Sequence, residues 1–181
     1  MCRQVCKSPE EFEAVHEKLK LTACPHCRCV GNLIRHGFLR GYDEKNQQTK
    51  AVRGWRIFCS NRNRATGCGR TFSIWVASKV KRLFLTAESL WAFLKQAATG
   101  NKQQAFRKLE SGLSDSAPYR IWKRFLLAQS AIRTALAAIC ELPTITARHP
   151  AEQTLAHVET AFNEDACPIV AFQVWSQTSF M

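Results

Sequence analysis

The spacing of hydrophobic residues divides the chain into two unlike parts. Residues 86–100, 102–110 and 114–140 place apolar side chains at intervals of three and four, as one buried face of an α-helix requires. Residues 24–75 instead contain three short stretches rich in β-branched and aromatic residues, separated by polar turns with glycine. The pattern therefore predicts an α+β fold in which a small β-module precedes a mainly helical region.

Capping residues predict further helices at both ends of the chain. Ser8 is followed by Pro9 and Glu11, which is the composition of a helix N-terminus with a capping box. Pro150 begins another predicted helix, and the segment from Asp165 onward favours a helix over a strand. The predicted regions are an N-terminal helix (1–22), the β-module (23–78), a three-helix unit (79–130) and a C-terminal helical segment (131–181).

The β-module has too few apolar residues for a large core of its own, and its cysteines offer another source of stability. Cys24 and Cys27 have two residues between them, a spacing that lets both sulfurs reach one ion. Cys59 and Cys68 supply a second pair further along the chain. Four thiolates from two turns predict a zinc ribbon, in which bound Zn²⁺ replaces the missing core.

The ligand set has alternatives that the sequence leaves open. Cys29, His26 or His36 could each replace one of the four cysteines, because all three lie near the first pair. A thioredoxin-like redox function for Cys24 and Cys27 would need a βαβ pattern, which the sequence lacks.

The other cysteines have different expected roles. Cys2 and Cys6 form a looser pair that could bind a second ion or remain as thiols. Cys140 and Cys167 lie in apolar helical sequence and are interpreted as core residues. A total of nine cysteines fits poorly with a complete disulfide framework, and the N-terminus lacks the apolar stretch of a signal peptide. An intracellular protein with reduced thiols is therefore expected.

Positive charge is concentrated in two blocks of the chain. The formal net charge is +12. Residues 28–82 hold 13 lysines and arginines against two acidic residues, and residues 101–133 hold seven against two. Residues 134–181 carry a net charge of −4. Two basic blocks followed by an acidic one are typical of a protein that binds a polyanion, and nucleic acid is the expected ligand.

The helical region contains a candidate DNA-reading helix. Its three predicted helices have the lengths and connections of a helix-turn-helix unit, whose last helix enters the major groove by its N-terminal half. In that helix Arg120, Lys123 and Arg124 share one face. A plain helical bundle with a solvated basic face is the alternative. The residues expected to contact nucleic acid are Arg62, Arg64, Arg70, Lys102, Tyr119, Arg120, Lys123 and Arg124.

Four motifs follow one another in the β-module: CPHC, IRHGFLRGY, RGWRIFC and CGRTFS. Together they resemble the zinc ribbon of bacterial transposases and related mobile-element proteins, and the later segment SDSAPYRIWKRF resembles the recognition helix that follows such ribbons. The resemblance implies zinc binding and DNA binding. One departure concerns the second cysteine pair, which in the family has two intervening residues. Here the eight residues SNRNRATG intervene and place Arg62 and Arg64 next to the expected metal.

A transposase active site is not expected in this chain. Such a site needs three carboxylates that converge on Mg²⁺ from an α/β sheet. The acidic residues after position 134 lie in helical or linker sequence. The expected function is therefore a non-catalytic, zinc-dependent protein that binds duplex DNA, as a transcriptional regulator or as an accessory factor of a mobile element. The alternatives are an adaptor that docks a recombinase or polymerase, and an RNA-binding zinc protein.

The apolar stripes of the C-terminal helices have two possible roles. They could form a homodimer or protein-partner surface, or they could complete the core of the monomer. No apolar run reaches the roughly 18 residues that a membrane helix needs, so no membrane contact is expected. The expected location is the cytoplasm, with the nucleoid as the specific site in a bacterium.

Overall fold

The computed structural model describes residues 4–42, 44, 50–109, 111, 113–146 and 149–181. The α+β prediction is confirmed, because a four-stranded sheet is combined with helices. The strands are β1 (Val5–Cys6), β2 (Leu33–Tyr42), β3 (Lys50–Cys59) and β4 (Thr71–Val76). The helices are α1 (Pro9–Glu17), α2 (Ala87–Thr99), α3 (Lys102–Arg107), α4 (Ala117–Leu136), α5 (Pro150–Ala161) and α6 (Pro168–Ser176).

The sheet has the strand order β1-β4-β3-β2. Strands β2, β3 and β4 are antiparallel neighbours, and Leu33 at the start of β2 pairs with Cys59 at the end of β3. Strand β1 pairs with β4 in parallel, with Val5 opposite Trp75. The sequence pattern did not predict β1, because two residues are too few to show alternation. The register places the start of β2 and the end of β3 at the same end of the sheet, where the two cysteine pairs lie.

The N-terminal segment supplies the core that the β-module lacks in its own sequence. Phe12 of α1 is fully buried, and its ring stacks on that of Trp55 with 3.7 Å between centroids and 3° between planes. Ile57 and Ile74 from the sheet and Leu19 after α1 join the same cluster. The β-module therefore has an apolar core of its own, because α1 covers one face of the sheet.

A second apolar core lies between the helices. It takes large side chains from every long helix, including the two C-terminal ones: Leu90, Phe93, Leu94, Phe125, Ile132, Leu136, Leu155, Val158, Ile169 and Phe172. The C-terminal stripes therefore mainly complete the monomer, while Ile139 and Trp175 stay 40% and 44% exposed. The preference for a helix at the C-terminus is confirmed by α6. None of the helices in the described ranges combines the length and apolarity needed to cross a membrane.

Buried polar side chains connect the sheet to the helices. Arg53 of β3 donates to the main-chain carbonyls of Tyr42, Leu83 and Phe84. The Glu44 carboxylate accepts from the amide of Thr86, the N-cap of α2, at 2.8 Å. A carboxylate at this position satisfies an amide that the helix itself leaves unpaired and offsets the helix dipole.

Two glutamines of the C-terminal segment make a further connection. The buried Gln173 amide of α6 donates to the carbonyl of Ala77, just after β4. Gln177, in the left-handed conformation after α6, accepts from the amides of Gln4 and Val5. The segment after α5 thus fastens the end of the helical core to strands β1 and β4.

We predict that Phe12→Ala lowers the free energy of unfolding by about 3–5 kcal/mol, the usual effect of truncating a fully buried phenylalanine. The ring is fully buried and stacks on that of Trp55. Urea unfolding followed by tryptophan fluorescence measures this. Leu21→Ala is the control, because Leu21 is 79% exposed and should change stability by less than about 0.5 kcal/mol. Equal effects of the two substitutions would contradict the proposed packing.

Candidate metal centre

Four cysteine sulfurs converge at one end of the sheet. The sulfurs of Cys24, Cys27, Cys59 and Cys68 all lie within 4.8 Å of one another. The Cys24–Cys68 distance is 3.9 Å and the Cys27–Cys59 distance is 3.7 Å. A tetrahedral ion with metal–sulfur bonds of about 2.3 Å requires sulfur–sulfur separations of about 3.8 Å, whereas a disulfide requires about 2.05 Å. The geometry thus fits a four-thiolate site that could hold a metal ion.

The first cysteine pair lies in a tight turn after the short 3₁₀ segment Leu19–Leu21. The Cys24 amide donates to the carbonyl of Cys29, and the Arg28 amide donates to the carbonyl of Cys24, both at 2.9 Å. The His26 amide points at the Cys24 sulfur from 3.4 Å. Arg28 has a φ of 64°, in the left-handed region that a non-glycine residue enters at a cost. The turn thus aims a main-chain amide at the sulfur.

The second cysteine pair repeats the hydrogen bonds of the first. The Cys59 amide donates to the carbonyl of Arg70, and the Gly69 amide donates to the carbonyl of Cys59, both at 2.9 Å. The Cys68 amide points at the Cys59 sulfur from 3.4 Å. Gly69 has a φ of 70°, close to that of Arg28 in the first turn. The two turns are thus structurally equivalent, although eight residues intervene in one and two in the other.

The extra residues form a loop that is closed at its base. The Gly67 amide donates to the carbonyl of Ser60 at 3.0 Å, which brings the two ends of the loop beside the two cysteines. A β-carbon at Gly67 would lie 2.1 Å from the Ser60 carbonyl oxygen and 2.8 Å from the Cys59 sulfur. Only glycine allows this approach. The departure from the two-residue spacing therefore leaves the pairing of Cys59 with Cys68 intact.

The alternative ligands lie outside the four-sulfur cluster. His26 is exposed at the rim, and His36 is exposed on β2 with its ring 5.5 Å from that of Phe58. Cys29 hydrogen-bonds to the Cys27 sulfur, and this bond with the nearby charge raises the pKa of Cys29. Cys29 thus hydrogen-bonds to one sulfur of the cluster without belonging to the cluster. Among the described residues, no other group of three or more potential ligands gathers as closely.

The four sulfurs have unequal electrostatic environments. The amide of Cys29 donates to the Cys27 sulfur and lowers the pKa of Cys27 to about 6. Burial raises the pKa of Cys59 to about 12. The amide of Cys29 thus favours the thiolate form of Cys27, whereas burial disfavours the thiolate form of Cys59.

Among the other described cysteines, Cys6, Cys140 and Cys167 are not part of the four-sulfur cluster. Cys6 is buried in β1 and joins the core beneath α1, while Cys2 lies outside the described residues. Cys167 is buried in the helical core, as expected, and Cys140 is half-buried after α4.

Three of the residues expected to contact nucleic acid, Arg62, Arg64 and Arg70, surround the second turn and are exposed. The Arg62 guanidinium lies over the ring of Phe58, 5.5 Å from its centre, in a cation–π contact. The Asn32 side chain donates to the Thr66 hydroxyl and anchors the loop to the first turn. The loop thus presents arginines beside the metal site on a fixed base.

The residues of α4 that are expected to contact DNA do not all lie on one exposed face. Tyr119 is 58% exposed, and Arg120 and Lys123 are exposed at the start of the helix. Arg124 is half-buried and donates to the carbonyls of Lys81, Arg82 and Met181. Burial, and then the charge of Arg82, lower the pKa of Arg124. Arg124 therefore does not share the exposed face of Arg120 and Lys123 that the sequence predicted. It joins α4 to the loop between β4 and α2 instead.

The contacts before α4 also differ from the expected helix-turn-helix pattern. Lys102 is half-buried, with its amine 5.1 Å from the ring centre of Trp122. Residues 108–116 separate α3 from α4, a connection longer than the three- or four-residue turn of a typical helix-turn-helix. Helix α3 is only six residues long. Tyr119 and Arg120 are thus exposed at the start of α4. The connection before this helix is longer than in the helix-turn-helix that the family resemblance implies.

Comparison with protein-family models, with curated proteins and with solved structures gave no match to this chain.

We predict that Gly67→Ala weakens metal binding roughly tenfold or more, because the added carbon forces Ser60 and the Cys59 sulfur apart and overpacking of this kind costs about 1–3 kcal/mol. Competition with a chromophoric chelator measures the affinity. Gly37→Ala on β2 is the matched control, since an added carbon there meets no atom within 4 Å. Unchanged metal affinity in Gly67→Ala would show that the closed loop does not set the site.

Proposed function

We propose that the four-cysteine centre binds Zn²⁺ and that the chain is a non-catalytic protein that binds duplex DNA. Four thiolates in a tetrahedral arrangement favour zinc over the oxygen-preferring ions Mg²⁺, Ca²⁺ and Mn²⁺. Iron in the same ligand set is the nearest competitor. The two closed turns leave no open coordination position, which is typical of a structural zinc site rather than a catalytic one.

The observation that carries the DNA-binding proposal is the lack of compensation for positive charge. Among the described residues, Arg35 pairs with Glu13 and Lys95 with Glu159. The exposed arginines of the β-module make no such pair within the described ranges: Arg40, Arg56, Arg62, Arg64 and Arg70. An excess of unpaired guanidinium groups raises the affinity for phosphates and releases counterions on binding.

The two exposed groups of cations suggest different roles in recognition. The arginines of the loop between Cys59 and Cys68 stand on a metal-fixed base and suit contacts with phosphates. Tyr119, Arg120 and Lys123 project from the first turns of α4, the part of a helix that reaches base edges in the major groove. We infer that α4 reads sequence and that the loop positions the protein. This division suits a transcriptional regulator or a DNA-binding accessory of a mobile element.

We predict one zinc ion per chain in elemental analysis of the purified protein. Cys24→Ser combined with Cys59→Ser should abolish it, whereas Cys29→Ser should retain it, because the Cys29 thiol lies outside the four-sulfur cluster. Chelation should unfold residues 24–75 and leave most of the helical circular dichroism, since the helices have a core of their own. Iron in place of zinc, or zinc retained by the double variant, would contradict this assignment.

We predict that Arg120→Ala flattens sequence preference and that Arg62→Ala weakens binding to all duplexes alike. Loss of one guanidinium–guanine pair costs roughly 1–3 kcal/mol of discrimination, whereas loss of a phosphate contact carries no sequence information. Selection from randomised duplexes, followed by affinity measurements on the selected site and on a scrambled site, separates the two effects.

The controls use salt and an unrelated cation. Binding should weaken steeply with salt, because the two basic blocks could neutralise on the order of 5–8 phosphates. Lys18→Gln removes an exposed charge after α1, outside both groups, and should leave site preference unchanged. Tighter binding of RNA than of duplex DNA would favour the RNA alternative. An Arg120→Ala protein with unaltered affinity and preference would remove α4 as the reader.

A further inference from the structure

A cleft lined by arginines and aromatic rings lies beside the β2–β3 hairpin, away from the metal centre and from the first turn of α4. Its volume is about 510 Å³. The aromatic side chains that line it are Phe38, Tyr42, Trp75 and Phe84. Phe38 and Tyr42 on the edge strand β2 are 47% and 53% exposed. Large rings this exposed on an edge strand are unfavourable in water unless a ligand covers them.

The charges of the cleft residues that the structure describes have one sign. Within the described ranges the lining includes four arginines and no carboxylate: Arg40, Arg53, Arg56 and Arg82. Arg53 bonds to carbonyls and holds the cleft wall in place, while Arg56 and Arg82 are exposed and make no ion pair in the described part of the chain. Arg40 lies 5.7 Å from the ring centre of Phe38. The cleft therefore suits a ligand that is both anionic and planar.

The main chain of the cleft is also strained at one arginine. Arg82 has a φ of 60°, although it is not a glycine. Its carbonyl, with that of Lys81, accepts from Arg124, which fixes this turn against α4. Strained residues held by their surroundings cluster at ligand-binding positions, because the strain presets the side chain for binding. Arg82 is thus held at the cleft before any ligand arrives.

The exposed rings of the cleft favour one kind of nucleic acid. Bases in a duplex are stacked on one another, whereas unpaired bases are free to stack on Phe38 and Tyr42. Rings that stack on bases, with cations that follow the phosphates, are the features that bind single strands. We propose that this cleft binds unpaired nucleotides of single-stranded DNA. The inference rests on the proposed function, since it takes the polyanion of the protein to be DNA.

The test uses the full chain and a fluorescent oligothymidine of about ten nucleotides, which forms no duplex with itself. Fluorescence anisotropy should report binding. Phe38→Ala combined with Tyr42→Ala should weaken it at least tenfold, because each stacked base contributes a factor of about 5 to 150. Leu127→Ala, at an exposed apolar position outside the cleft, should leave it unchanged.

A second variant pair tests the cations. Arg56→Gln combined with Arg82→Asn should also weaken oligothymidine binding at least tenfold, and asparagine tolerates the left-handed conformation at position 82. Lys18→Gln combined with Lys20→Gln removes the same charge elsewhere and should have a much smaller effect. The Phe38→Ala, Tyr42→Ala variant removes no charge and should retain duplex affinity to within about threefold.

Several outcomes would overturn the inference. If the protein binds neither duplex nor single strands, the proposed function itself is refuted. If it binds duplex DNA but not oligothymidine, or if the cleft variants bind oligothymidine normally, only the cleft proposal is refuted. Equal loss of duplex and single-strand binding would make the cleft a general phosphate surface. Tighter binding of oligouridine than of oligothymidine would assign the cleft to RNA.

Discussion

Four sulfurs must come within about 4 Å of one another, and the β-module is arranged to make this possible. The Leu33–Cys59 pairing places both cysteine turns at one end of the sheet. The same pair of hydrogen bonds then closes each turn, even though the second contains a much longer insertion. Metal binding in such a module is part of its folding free energy, because an unfolded chain does not hold four thiolates together. The position of the basic loop between Cys59 and Cys68 depends on the same convergence of the cysteines.

The metal centre shares the stabilisation of the sheet with a hydrophobic contact. Phe12 stacks on Trp55, so the N-terminal helix covers the face that the ribbon would otherwise expose. Arg53 and Gln173 extend the connection to the helical core through carbonyls that follow the strands. The β-module and the helical core are therefore joined by side-chain hydrogen bonds, although each has an apolar cluster of its own.

The arginines illustrate how one residue type serves opposite purposes. Arg53 and Arg124 satisfy buried carbonyls, where a guanidinium with five donors can bridge segments that have no other partner. Arg56 and Arg62 remain exposed without an ion pair among the described residues. Net charge alone does not distinguish these groups. The distinction bears on the proposed DNA binding, because removing a buried guanidinium destabilises the fold, whereas removing an exposed one would weaken binding to a polyanion.

The sequence by itself determined the α+β class and the helices begun by Pro9, Pro150 and Pro168, and it predicted the four clustered cysteines while leaving Cys29, His26 and His36 open as alternative ligands. Capping, periodicity and the short spacing of Cys24 and Cys27 act between neighbours in the chain, whereas the eight residues between Cys59 and Cys68 follow no such local rule. Only the tertiary structure decided that Gly67 closes the loop before Cys68, that α1 covers the sheet, and that Arg124 faces inward. It also brought the rings and arginines of the cleft together. These features depend on contacts between residues far apart in sequence, for which spacing along the chain carries no signal.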